Sequence, residues 1–118
     1  MISDPSVVHV NELNFPDEVS ASPLPVLIDV STAWCPPCRL AAPIIVELAQ
    51  RHRGRLKVVE IDGDESPQLA AELGVRGFPT FLGIVGGSVV TRCAGFGGKG
   101  PLNQLAATLL EMQAEPAG

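Results

Sequence analysis

The stretch Trp34-Cys35-Pro36-Pro37-Cys38 lies between two segments of different character. Before it runs Val26-Leu27-Ile28-Asp29-Val30, apolar at every position but one, which reads as a strand buried on both faces of a sheet. After it, the stretch to Arg53 carries Leu40, Ile44 and Leu48 beside Ala41, Ile45 and Ala49, the spacing of one helical face. A strand that runs directly into a helix puts Cys35 at the helix N-cap. Pro36 then takes the first helical position, where its missing N–H costs nothing and its fixed φ suits a helix.

An N-cap side chain accepts hydrogen bonds from backbone N–H groups that have no helical partner. The positive end of the helix dipole favours an anion there. A thiolate is such an anion, and its pKa, about 8.5 when free, falls to roughly 3.5–7.5 in this setting. Cys35 is therefore the candidate nucleophile, and Cys38 the candidate resolving thiol. Pro36 and Pro37 remove two N–H groups that would have faced the sulfur. The N–H of Cys38 is left as the main expected donor, and the prolines stiffen the ring that a disulfide closes.

With the later Gly77-Phe78-Pro79-Thr80, this order of strand, Trp-Cys-x-x-Cys and helix resembles the thioredoxin family over nearly the whole chain. Asp29, six residues before Cys35, matches a buried acid of that family. Pro43, five after Cys38, matches a helix-kinking proline, and Gly87 and Gly95 match two later glycines. The resemblance implies a cis Phe78–Pro79 bond and a docking surface of Trp34, Gly77, Phe78, Pro79, Gly95 and Phe96. It implies protein disulfides as substrates and recharging by an NADPH-dependent flavin thioredoxin reductase. No bound cofactor and no metal are implied, and the protein is expected to act as a monomer.

Bulk properties narrow the alternatives. At 118 residues the chain is expected to form a single domain, residues 1–118, and its apolar fraction of 46% is enough for a core. A formal net charge of −5 argues against nucleic acid or an anionic membrane as partner. The first residues lack the basic and apolar regions of a signal peptide, and no run of about 18 apolar residues is present, so a cytoplasmic location is expected. In a reducing compartment a CxxC pair reads as redox or metal chemistry. Two thiols are half of a tetrahedral metal site, so a metal or cluster would require a second chain. A chaperone or assembly module that keeps the fold without turnover is the other rival.

The remaining chain supplies a strand at Ser6–Val10, with His9 read as an ordinary strand histidine. A weak helix follows over 11–19, with Asn14 as cap. A third strand covers Leu56–Ile61. A short helix then starts at Ser66-Pro67 and stops at Gly74, with Ser66 as its cap. Strands Thr80–Val85 and Ser88–Ala94 flank the turn Gly86-Gly87. A last helix runs 101–113, and 115–118 reads as a frayed tail. The order β-α-β-α-β-α-β-β-α predicts a three-layer α/β/α thioredoxin-like fold, a central mixed sheet of about five strands flanked by helices.

Three positions carry two readings each. Asp29 either finds local hydrogen bonds or is a buried acid that exchanges a proton with Cys38; the spacing shared with thioredoxins favours the second. Glu60 falls where thioredoxins usually place a lysine, so it either raises the pKa of Asp29 or turns to solvent. Cys93 is either a buried inert thiol or a regulatory one. Gly63 also stands where the family usually has a larger residue. The pattern G-x-G-x-x-G at Gly95–Gly100 is not a dinucleotide site, because no βαβ unit and no suitably placed acid follow it. Asp62 and Asp64 fail the spacing of a calcium loop.

Overall fold

The computed structural model describes residues 1–114. In chain order its elements are β1 (Val8–Val10), a π-helical turn (Pro16–Ser20), β2 (Val26–Ser31), α1 (Pro36–Arg51), β3 (Lys57–Asp62), α2 (Pro67–Glu72), β4 (Thr80–Val85), β5 (Ser88–Ala94) and α3 (Lys99–Ala114). The strands form one mixed sheet in the order β1-β3-β2-β4-β5. β2 lies at its centre, parallel to β3 and antiparallel to β4, and is buried at all six positions. That environment explains its near-continuous apolar sequence.

Alternation along the strands divides the core between the two sheet faces. Leu27, Val58 and Phe81 pack with Ala41, Ile45 and Leu48 of α1 and with Leu102, Leu105 and Leu109 of α3. Val26, Ile28, Val30, Val59 and Leu82 pack on the other face with Val19, Leu69 and Ala70. The expected three layers are therefore present. Phe81, Leu27 and Ile28 are fully buried; each such side chain stabilises the fold by about 1.5–3 kcal/mol relative to exposure.

Several local expectations are corrected. The expected helix over 11–19 is only the π-helical turn Pro16–Ser20, and Asn14 does not cap it. Its amide Oδ1 accepts the N–H of Asn11 instead, while Asn11 Oδ1 accepts from Leu13 and Asn14. Asparagine competes for backbone groups in this way, which disfavours helix. α1 ends at Arg51 rather than Arg53; His52 is its C-cap, and Gly54 takes the positive φ of 85° in the turn beyond. Leu40 leaves the core face of α1 and is 65% exposed. Ser66 occupies the N-cap of α2 without a side-chain hydrogen bond. α3 begins at Lys99, earlier than expected, and buries Leu102, Leu105, Ala106 and Leu109. The tail 115–118 lies outside the described residues. No described helix is long and apolar enough to cross a membrane.

Candidate active site

β2 ends at Ser31, and the chain crosses Thr32-Ala33-Trp34 to enter α1. Cys35 is the N-cap, with extended backbone (φ −91°, ψ 110°), and Pro36 and Pro37 fill the first two helical positions. Those two residues contribute no N–H, so the first helical donor available is Cys38. Its N–H points at Cys35 Sγ with an N···S distance of 3.3 Å, as the sequence predicts. The Cys35 N–H donates to Thr32 O at 3.4 Å, which fixes the turn into the helix. The two sulfurs are joined as a disulfide, with Cα atoms 5.3 Å apart. Both cysteines are buried, whereas Pro36 and Pro37 are exposed.

Asp29, on the strand that leads into the pair, is 1% exposed. The hydroxyl of Ser31 donates to its Oδ1, while Oδ2 has no hydrogen-bond partner within the protein. Burial pushes the pKa of Asp29 up from its ordinary 3.8 to about 7. The Ser31 hydrogen bond opposes that rise, and the neighbouring Glu60 adds to it.

Glu60 pairs in register with Asp29 and turns inward rather than to solvent, 2% exposed. One Glu60 oxygen accepts the Ile2 N–H at 3.0 Å and lies 3.7 Å from His9 Nδ1. Burial raises its pKa as well, against the lowering effects of the Ile2 hydrogen bond, the N-terminal charge and His9. His9 is therefore half-exposed at its ring and faces Glu60 on one side and Glu65, at 3.7 Å, on the other.

The Phe78–Pro79 bond is cis. Gly77, Phe78, Pro79 and Gly95 line one groove of about 510 Å³ together with Arg76 and Arg92. Pro79 itself is buried, and its carbonyl accepts the Gly95 N–H at 2.8 Å. Trp34 is 62% exposed and meets the Phe78 ring edge-on, with centroids 6.2 Å apart. Phe96 does not line this groove; it packs against the core between the sheet, α1 and α3. Cys93 is half-buried against the same core, its sulfur 3.9 Å from Gly95 O.

Two features escaped the sequence. The Trp34 indole N–H donates to Asp64 Oδ2 at 2.7 Å, so an acid weighed only as a calcium ligand instead holds the indole in place. Gly63 has the Phe78 ring directly above it: a Cβ built there would stand 2.3 Å from the ring. The glycine and the phenylalanine are thus one fitted pair. The signal was available in the small size of Gly63, but only the fold shows what it meets.

The family model for thioredoxin matches residues 6–111. The chain belongs to the thioredoxin family. Thioredoxin 1 of a Nostoc strain is 39% identical over 84% of this chain and 92% of its own length. The thioredoxin of Allochromatium vinosum is 42% identical over 71% and 78%. That of Haemophilus influenzae is 38% identical over 75% and 83%. Membership of the thioredoxin family and the bonded cysteine pair together make the protein a thiol–disulfide oxidoreductase working through Cys35 and Cys38. Dithiol–disulfide exchange therefore takes precedence over a non-turnover chaperone or an inter-chain metal site. Among the described residues no group of three or more His, Cys, Asp or Glu side chains is placed to hold a metal ion.

Proposed function

We propose that the protein works as a reductant of protein disulfides, acting as a monomeric single domain in the cytoplasm and recharged by an NADPH-dependent flavin thioredoxin reductase. Cys35 attacks the substrate disulfide as a thiolate and releases the first substrate thiolate. Cys38 loses its proton, attacks Cys35 Sγ in the mixed disulfide, and displaces the second substrate sulfur. Asp29 takes the Cys38 proton, and a carboxyl whose pKa is about 7 is suited to exchange it near neutrality.

The observation that carries this reading is the hydrogen bond from the Cys38 N–H to Cys35 Sγ at the mouth of α1. It supports Cys35, rather than Cys38, as the sulfur held in its anionic form. Trp34 and the groove along Gly77, Phe78, Pro79 and Gly95 are the docking surface, and Phe96 supports it from the core side. Pro36 and Pro37 restrict the linker between the thiols.

The test follows NADPH consumption in a coupled assay of thioredoxin reductase, this protein and a disulfide-bonded protein substrate. Wild type is expected to turn over, Cys35→Ser to be inactive, and Cys38→Ser to stop as a covalent mixed disulfide. A Cys35→Ser variant as fast as wild type would overturn the reading.

A further inference from the structure

Asp29 is 1% exposed, yet a proton that it takes from Cys38 must eventually reach water. A cavity of about 130 Å³ adjoins Cys38, and Glu60, Thr32 and Arg39 also line it; Asp29 does not. A water needs only about 10–15 Å³ of such volume together with polar partners, so the cavity has room for several. Polar residues are present: Glu60 and Thr32 line it, and Thr32 Oγ1 is buried without a hydrogen-bond partner in the protein.

Resting on the assignment of Cys38 as resolving thiol, we propose that Glu60, backed by His9, is a second proton-handling group for that thiol, passing its proton to solvent along this cavity. Glu60 lines the cavity on one side. On the other its Oε1 lies 3.7 Å from His9 Nδ1, and His9 Nε2 lies 3.7 Å from Glu65 Oε2 at the surface. The positions thus run from Cys38 through the cavity to Glu60, His9 and the exterior.

The step balances. By this second route, beside that through Asp29, the Cys38 thiol gives its proton to the Glu60 carboxylate through cavity water, and its sulfur forms the bond to Cys35. The Cys35–substrate bond breaks, and the electron pair leaves on the substrate sulfur. Glu60 then returns the proton to His9 or to water. The groups facing Glu60 are the Met1 amino group and the Ile2 N–H from the N-terminal segment, His9 from β1, Asp29 from β2 and Asp62 on its own strand; Arg39 of α1 shares the cavity. Glu60 also sits beside Asp29 as a like charge, so it sets the range over which Asp29 exchanges its proton. Glu60 acts through water and through Asp29, without touching the reacting sulfurs.

The experiment is single-turnover reaction of the reduced protein with dithiobis(nitrobenzoate), in a Cys93→Ser background. The first thionitrobenzoate released reports attack by Cys35; the second reports displacement by Cys38. Glu60→Gln keeps an acceptor for the Ile2 N–H but cannot carry a proton. It is expected to slow the second release about 3- to 10-fold, less than the roughly 100- to 10,000-fold of a sole acid–base group, because Asp29 still accepts the proton. The lower inflection of the second release should move to lower pH as Asp29 loses its charged neighbour. The first release should keep its rate.

A second release unchanged in rate and pH profile would overturn the proposal while leaving the exchange chemistry intact. A Cys35→Ser variant that still gave both releases would overturn the exchange chemistry itself. Should Glu60→Gln fail to fold, magnetic resonance of glutamate-labelled wild type decides. The Glu60 carboxyl must titrate at a different pH in the reduced and oxidised proteins, and one shared midpoint would overturn the proposal.

Discussion

Replacing Asp29 by asparagine should stabilise the protein, and increasingly so as pH rises. The folded state holds this carboxyl at a pKa of about 7, against an ordinary value of 3.8. Between those values the folded chain keeps a proton that the unfolded chain has released, so stability falls as pH rises through that window and levels off above it. At about 1.4 kcal/mol per pH unit, the full rise corresponds to about 4 kcal/mol lost by wild type between pH 4 and pH 8. Asparagine does not titrate, keeps an oxygen for the Ser31 hydroxyl, and escapes that loss. The assay is urea unfolding of the oxidised wild type and Asp29→Asn at a series of pH values, because other titrations largely cancel in the difference. With a urea slope of about 1–3 kcal/mol/M, the gap between midpoints should widen by more than about 1 M over the range. Two curves that stay parallel from pH 4 to pH 8 would refute the assignment of a raised pKa to Asp29.

Gly63→Ala should cost about 1–3 kcal/mol, the usual penalty of overpacking, because its methyl group would enter the Phe78 ring; urea midpoints measure the loss, and Phe78→Leu in the same chain should recover part of it. Gly83→Ala should lose a similar amount, since a Cβ there would stand 2.6 Å from Thr91 Cγ2 and 2.7 Å from Leu109 Cδ2. Asp64→Ala removes the acceptor of the Trp34 indole. As Trp34 is the sole tryptophan, its fluorescence anisotropy should fall, and KM for a protein disulfide should rise with little change in kcat. The cost in stability should stay near 0.5–1.5 kcal/mol, as for a single exposed hydrogen bond.

Legibility in the sequence followed the strength of local punctuation. β4 and β5 begin and end where Pro79 and the Gly86-Gly87 turn place them, because backbone constraint alone settles those boundaries. The N-cap role of Cys35 was equally local: a strand, two prolines and a helix within one short stretch. The π-helical turn was not legible, because Asn11 and Asn14 exchange hydrogen bonds that no periodicity reveals. Leu40 has the spacing of a core residue, but the helix turns its neighbour Ala41 to the core and leaves Leu40 65% exposed. The Asp29–Glu60 neighbourhood was half legible. Spacing suggested that the two acids meet, while the inward turn of Glu60 depends on Ile2 and His9, which come from distant parts of the chain.

The close fit of Gly63 beneath Phe78 has a consequence for how this chain can vary. The two positions are not free to change in either order. A larger residue at 63 arriving first would have to push the Phe78 ring aside, whereas a smaller residue at 78 arriving first would leave only a gap. Evolution away from this pairing therefore has an easier door, and it opens from the side of position 78.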